Sequence, residues 1–150
     1  MLINVDPLLS PEILSILRSM GHGDSFVLSD ANFPSYSHNS TLIRMDGLNI
    51  PQAAKAILSV FPLDSFITEP VLRMEIDGKP DEINEVHQDL INTVKDVSGN
   101  NWKVGSIERQ KFYVEAKKAF AVITTSDTRP YGCFIFTKGV LKPDGSVWIV

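Results

Sequence analysis

Residues 10–30 read Ser10-Pro11-Glu12-Ile13-Leu14-Ser15-Ile16-Leu17-Arg18-Ser19-Met20-Gly21-His22-Gly23-Asp24-Ser25-Phe26-Val27-Leu28-Ser29-Asp30, a predicted helix followed at once by a predicted strand. Ser10 is placed to cap the helix. Pro11 suits a first turn that needs no N–H, and Glu12 complements the positive end of the helix dipole. Ile13, Leu14, Ile16, Leu17 and Met20 recur at helical spacing, and Gly21 can stop the helix. Phe26-Val27-Leu28 is apolar at every position and too short for a helix, so it reads as a strand covered on both faces and closed by Ser29-Asp30. A helix feeding a strand with both faces covered is the building unit of a layered α/β fold.

The remaining chain repeats this alternation. After a turn-rich loop over 31–40, Thr41–Met45 reads as a strand, and a helix begins at Pro51 with Asn49 as its cap and Ala54, Ile57, Leu58 and Phe61 on one face. Val71–Ile76 is a further strand. Lys79-Pro80 opens the next predicted helix, with Asp81 and Glu82 in its first turn and an apolar stripe of Ile83, Val86, Leu90, Val94 and Val97. Ile107–Lys118 is predicted as a helix with Phe112 and Tyr113 turned inward. Ala119–Thr124 and Cys133–Phe136 read as buried strands, and a turn at Lys142–Gly145 leads to a last strand over Ser146–Val150. The expectation is one compact layered α/β domain over residues 1–150, with a mostly parallel sheet flanked by helices. Sites in such folds gather at loops beyond the strand ends, which directs attention to 22–24, 30–38 and 125–132.

Composition narrows the partners. The 150 residues are 43% hydrophobic and 21% charged, the balance of an ordinary globular chain rather than a disordered one. The net charge of −4 and the scattered basic residues lack the footprint of nucleic-acid binding; even the densest group, Arg109, Lys111, Lys117 and Lys118, is interleaved with Glu108 and Glu115. No apolar run approaches the ~18 residues that cross a bilayer, so no membrane partner is expected. An early Asp6, no basic leader and a single cysteine, Cys133, point to a reducing, cytoplasmic setting with no internal disulfide and no zinc ribbon. A neutral or weakly polar small molecule is the ligand class left open.

Several side chains are candidates for chemistry. His22 stands between two glycines, which let the backbone turn sharply and leave the imidazole unshielded; histidine is the side chain best suited to exchange protons near neutral pH. A surface loop histidine after a helix cap is the plain alternative. Asp24 and Asp30 flank the Phe26–Leu28 strand six positions apart, nominally on one side, though aspartates also close turns. Gly21-His22-Gly23 is no dinucleotide fingerprint, since it precedes a strand instead of following one, and there is no P-loop, G-x-S-x-G or H-E-x-x-H. Cys133 falls within a buried strand and reads as core. His87 lies off the apolar stripe of its helix and reads as solvated surface, while His38, near Tyr36, reads as packing or surface with a place at a site rim left open. Arg109 suits an oxygen-rich ligand, and Tyr131 stands at a strand entrance.

Taken together, Met20-Gly21-His22-Gly23-Asp24, Ser29-Asp30-Ala31-Asn32-Phe33-Pro34, Arg44-Met45-Asp46-Gly47-Leu48, Phe112-Tyr113 leading to Lys118-Ala119-Phe120-Ala121-Val122, and Tyr131-Gly132 resemble the fucose mutarotase and D-ribose pyranase family (RbsD/FucU type). The resemblance runs in unbroken order from about Ser10 to Val140. It implies cofactor-independent interconversion of sugar anomers or ring forms, ring-shaped oligomers that are decamers in the best-known members, and sites at subunit contacts. It also implies His22 as proton donor, Asp30 and Arg109 as substrate-binding residues, and Tyr131, Gly132 and Cys133 in place of the family's Y-G-N. Cys133 departs from that pattern, because a thiol offers a sugar hydroxyl little of what an amide offers. Asp24 is expected to orient His22. The Ala31–Pro34 loop looks closer to the fucose branch, so the expectation is an L-fucose mutarotase. The alternatives are a D-ribose pyranase or a non-catalytic sugar-binding accessory of a transport or catabolic system.

Overall fold

The computed structural model describes residues 1–150. In chain order the elements are α1 (Pro11–Ser19), β1 (Ser25–Ser29), α2 (Ser35–His38), β2 (Leu42–Met45), α3 (Ile50–Leu58), β3 (Val71–Met74), α4 (Glu85–Ser98), β4 (Val104–Ile107), α5 (Arg109–Lys118), β5 (Ala121–Thr125) and β6 (Phe134–Thr137). The strands form one sheet in the order β2-β5-β1-β6-β3-β4. Alternation along β1 sends Phe26 and Leu28 to one face and Val27 to the other, and the two faces carry separate cores.

On the first face α1, α3 and α4 cover Phe26, Leu28, Phe134 and Phe136. The Phe26 and Phe136 rings stack at 4.9 Å, with Phe61 edge-on to Phe26 at 5.0 Å. On the second face α5 lays Phe112 and Ala116 over Val27, Val122 and Ile135. Side-chain caps fix where the first helices begin. Ser10 Oγ accepts from Ile13 N at 3.2 Å, and Asn49 with Gln52 forms a reciprocal capping box on α3.

The sheet is mostly parallel, as expected, with one strand reversed: β6 runs antiparallel to both β1 and β3, while the other three pairings are parallel. The 126–133 connection from β5 is shorter than the dozen or so residues that a parallel crossover needs, so the chain returns in the opposite sense. Lys79-Pro80 does not start a helix. Asp77 and Gly78 adopt φ of +48° and +72° in a tight turn bridged by Ile76 and Lys79, and α4 starts instead at Glu85 under the Asn84 cap. Ile83 is consequently exposed. Ile107 ends an edge strand, β4, and α5 begins after it, where Glu108 accepts from the backbone N–H groups of Gln110 and Lys111. The tail after Lys142 forms a single bridge, Leu141 with Val147, and no strand. His87, expected on the surface, is 0% exposed, because its ring turns under the segment that enters β6 and finds a backbone carbonyl there. Cys133 is buried, as expected.

Candidate active site

All the parallel strands end on one edge of the sheet, and the residues singled out after those ends meet there. Asp30, directly after β1, is 3% exposed. Its Oδ1 accepts from Asn32 N at 2.9 Å and Phe33 N at 3.0 Å, closing the turn. Its Oδ2 accepts from Gly132 N at 3.0 Å and from the Cys133 thiol at 3.6 Å. Burial pushes the Asp30 carboxyl above its ordinary value, and bonds from Asn32, Cys133, Phe33 and Gly132 offset part of that rise. Burial beside this carboxylate raises the Cys133 thiol well above its ordinary range, so the sulfur stays protonated and donates. A Cβ on Gly132 would lie 3.2 Å from Asp30 Cβ, so the backbone approaches the carboxylate closely because no side chain intervenes.

Tyr131 sits in the left-handed region at φ +60°, unusual for a residue with a side chain. Its hydroxyl donates to Asp77 Oδ1 at 2.6 Å, and that bond raises its pKa above the ordinary phenol value. Arg109 is the first residue of α5, beyond the end of β4. Asp30, Phe33, Arg109, Tyr113, Tyr131 and Cys133 line an open hollow of about 280 Å³. That volume is just below the roughly 300–1,000 Å³ usual for small-molecule sites. Tyr113, read from the sequence only as a packing residue, is therefore half-buried at the wall of the hollow. His38 supports it, with ring centroids 5.0 Å apart and Nδ1 2.9 Å from Pro34 O.

His22 lies at the opposite edge, in the turn before β1. The six residue steps from Asp24 to Asp30 separate the two edges by roughly 20 Å at ~3.3 Å per residue. The His22 side chain is 45% exposed, and its Nε2 lies 3.1 Å from Oδ1 of the buried Asp64. Asp64 Oδ1 also accepts from Phe66 N at 3.0 Å, and the Phe66 ring packs 5.0 Å from the imidazole. Asp24 does not meet His22: its Oδ2 accepts from Gly21 N at 2.7 Å, which turns it back into the loop. Asp64 occupies the place expected of Asp24. Within one chain, Asp30, Arg109, Tyr131, Gly132 and Cys133 come together, whereas His22 and Asp24 stand apart from them. No three His, Cys, Asp or Glu side chains converge as metal ligands.

Residues 3–141 match the family described as the RbsD / FucU transport protein family. The chain belongs to that family. The L-fucose mutarotase of Actinobacillus pleuropneumoniae serotype 5b (strain L20) is 38% identical over 140 residues, 93% of this chain and 97% of that one. The fucose mutarotase of Bos taurus is 43% identical over 148 residues, covering 93% and 94% of the two chains. Among solved structures, the fucose mutarotase in complex with L-fucose from Streptococcus pneumoniae superposes with a TM-score of 0.86 at 35% identity, covering 94% of this chain and all of that one. This RbsD / FucU protein thus shares with those relatives a single domain of nearly their full length. No helix in it is long and apolar enough to cross a membrane.

Proposed function

We propose that this protein is a mutarotase that interconverts the α and β anomers of a free monosaccharide, L-fucose in the first instance. The observation that carries the reading is a division of labour between the two edges of the sheet. One edge holds a hollow of hydroxyl-binding groups, Asp30, Arg109 and Tyr131, with no histidine in its wall. The other presents a half-exposed imidazole held by a buried carboxylate. A copy of the chain that brings its His22 edge to the hollow of the next copy completes an acid/base site, so the active form is a homo-oligomer, a ring on the family pattern. A cytoplasmic setting fits the unpaired, buried Cys133.

The chemistry needs little machinery. Ring opening takes a proton from the anomeric hydroxyl, returns one to the ring oxygen and leaves the open-chain aldehyde. Closure on the other carbonyl face reverses both transfers, so protons balance over the cycle. With His22 Nε2–H donating to Asp64, Nδ1 is the free nitrogen that takes and gives the proton. Asp30, Arg109 and Tyr131 hold hydroxyls, and Tyr113 and Phe33 offer apolar surface to the sugar ring. Positioned proton transfer is worth roughly 10²–10⁴-fold. That suffices for a reaction that already runs unaided in water, so the mechanism uses no cofactor.

Exchange NMR on a panel of reducing sugars tests this. The expected result is faster exchange between the α and β signals of L-fucose with wild type, and none beyond the buffer rate with His22→Ala, which still broadens the sugar lines. Broadening without acceleration by wild type identifies a sugar-binding accessory instead. Acceleration confined to the pyranose and furanose signals of D-ribose identifies a pyranase.

A further inference from the structure

The three residues that lead into the hollow, Arg129, Pro130 and Tyr131, are each held by the start of α4. The Arg129 guanidinium reaches Asp89 Oδ2 at 2.6 Å and Glu85 Oε1 at 3.4 Å. Asn84 Nδ2 donates to Pro130 O at 2.9 Å, while Asn84 Oδ1 caps the helix by accepting from His87 N. His87 Nε2 lies 2.9 Å from Tyr131 O. Since a carbonyl only accepts, Nε2 carries the proton. Nδ1 has no partner, so the ring is the neutral Nε2–H tautomer.

The next peptide then turns to Asp30. Tyr131 at φ +60° is in a conformation that side-chain-bearing residues hold only where the surroundings impose it. With its carbonyl fixed by His87, the following N–H, that of Gly132, and the Cys133 thiol both point at Asp30 Oδ2. We infer that His87 is a positioning residue for the substrate hollow, clamping the Tyr131 carbonyl so that Gly132 and Cys133 fasten Asp30. The inference rests on the reading of the hollow as the sugar site.

The surroundings suit a neutral clamp. The Phe134 ring stands edge-on to the imidazole at 5.8 Å. Burial lowers the His87 pKa, and the nearby Arg73 guanidinium, itself buried, acts in the same direction against the bond to Tyr131 O. No proton exchange is asked of this histidine; its work is a fixed donor at a fixed place.

Cys133 is the one cysteine of the chain, so its alkylation by N-ethylmaleimide reports directly on the Tyr131–Cys133 corner. His87→Leu keeps an apolar bulk and removes the donor; His87→Gln retains an amide donor; Val94→Ala lowers stability from the same helix without touching the corner. In the folded full-length protein, His87→Leu is expected to label about tenfold faster than wild type, with His87→Gln within about threefold of wild type and Val94→Ala unchanged. In anomer exchange, His87→Leu is expected to raise half-saturation by L-fucose about tenfold while the maximal rate stays within about threefold. If His87→Leu does not fold, Asn84→Asp keeps the α4 cap, loses the donor to Pro130 O, and is expected to label about threefold faster.

Labelling of the donor-less variant no faster than that of Val94→Ala overturns the inference. So does faster labelling with an unchanged half-saturation in an active enzyme. Faster labelling in a protein whose wild type accelerates no sugar leaves the clamp standing and counts against the proposed function instead.

Discussion

Asp64 is a side chain whose role only the folded chain reveals. It sits in Phe61-Pro62-Leu63-Asp64-Ser65, a stretch with no motif, and its partner is 42 positions away. What joins them is the exit of β6: Leu63 bridges Lys138, and Gly23 N donates to Lys138 O at 2.9 Å, so both turns are fastened to one residue. Asp24 was the natural expectation because it is adjacent in sequence, but adjacency in a tight glycine turn favours a bond to the local backbone, as Gly21 N shows. Asp64→Asn keeps the shape and removes the charge that stabilises an imidazolium. Its maximal anomer-exchange rate is expected to fall about 10- to 100-fold with half-saturation nearly unchanged; a raised half-saturation at full rate would assign Asp64 to binding instead. Cys133 makes the complementary case at the hollow. The thiol donates to Asp30 and offers nothing further, whereas an amide there has a second donor and an acceptor for sugar hydroxyls. Cys133→Asn is expected to change the ratio of L-fucose to D-ribose turnover at least about threefold, read on both sugars by the same NMR exchange measurement.

At the scale of elements, α1 and α3 were legible because their capping chemistry is local: Ser10, Pro11, Asn49 and Gln52 act within one turn of the ends they define. The start of α4 misled because Pro80 with Asp81 and Glu82 imitates a first helical turn, whereas the φ values of Asp77 and Gly78 are spent on a turn that no periodicity announces. β4 went unread for a different reason. Val104-Gly105-Ser106-Ile107 is short, carries a glycine and pairs on one side only, with β3, so its strand character comes from its partner. The N-terminus of α3 shows a long-range contact of the same kind. Asp127 Oδ2 accepts from Ile50 N at 2.9 Å, and the same carboxylate takes Arg129 Nε at 3.0 Å and Nη2 at 2.8 Å. Burial works most strongly against ionisation of Asp127, but the bonds from Arg129 and Ile50 together outweigh it and hold the carboxyl below its ordinary 3.8. A depressed folded value means that the unfolded chain binds the proton first. The stabilisation is therefore fully present above about pH 4–5 and is lost as pH falls through the folded value. Asp127→Asn is expected to cost about 2–4 kcal/mol at pH 7. Chemical denaturation at a series of pH values should show that difference shrinking below pH 4; a difference independent of pH would mean that packing, not charge, is what Asp127 supplies.

For the whole molecule, the proposed function makes a demand that no single chain satisfies. The proton-exchanging candidate and the sugar-binding candidates occupy opposite edges of one sheet, roughly 20 Å apart along β1 at ~3.3 Å per residue. Strand geometry is stiff, so no loop movement of ordinary size brings His22 of a chain to Asp30 of the same chain; under the proposed function a head-to-tail contact between copies would supply the missing edge, and such contacts close into rings when the rotation allows. A motif read along the sequence hides this, because Gly21–Asp24 and Ser29–Pro34 are neighbours in the chain and look like parts of one pocket. The consequence is measurable by complementation. His22→Ala and Arg109→Ala are each expected to be inactive alone. Co-expressed in equal amounts and assembled at random, they form contacts in which half of the His22 edges and half of the Arg109 hollows are intact. Roughly a quarter of the sites then carry both wild-type residues, and about a quarter of wild-type anomer exchange should return. A double variant carrying both changes, co-expressed with wild type, supplies the control: it too leaves about a quarter of shared sites intact, where sites confined to one chain would leave half. No recovered activity in the mixed oligomer, with both variants folded and co-assembled, would place the histidine and the arginine in one chain's site and remove the need for a second copy.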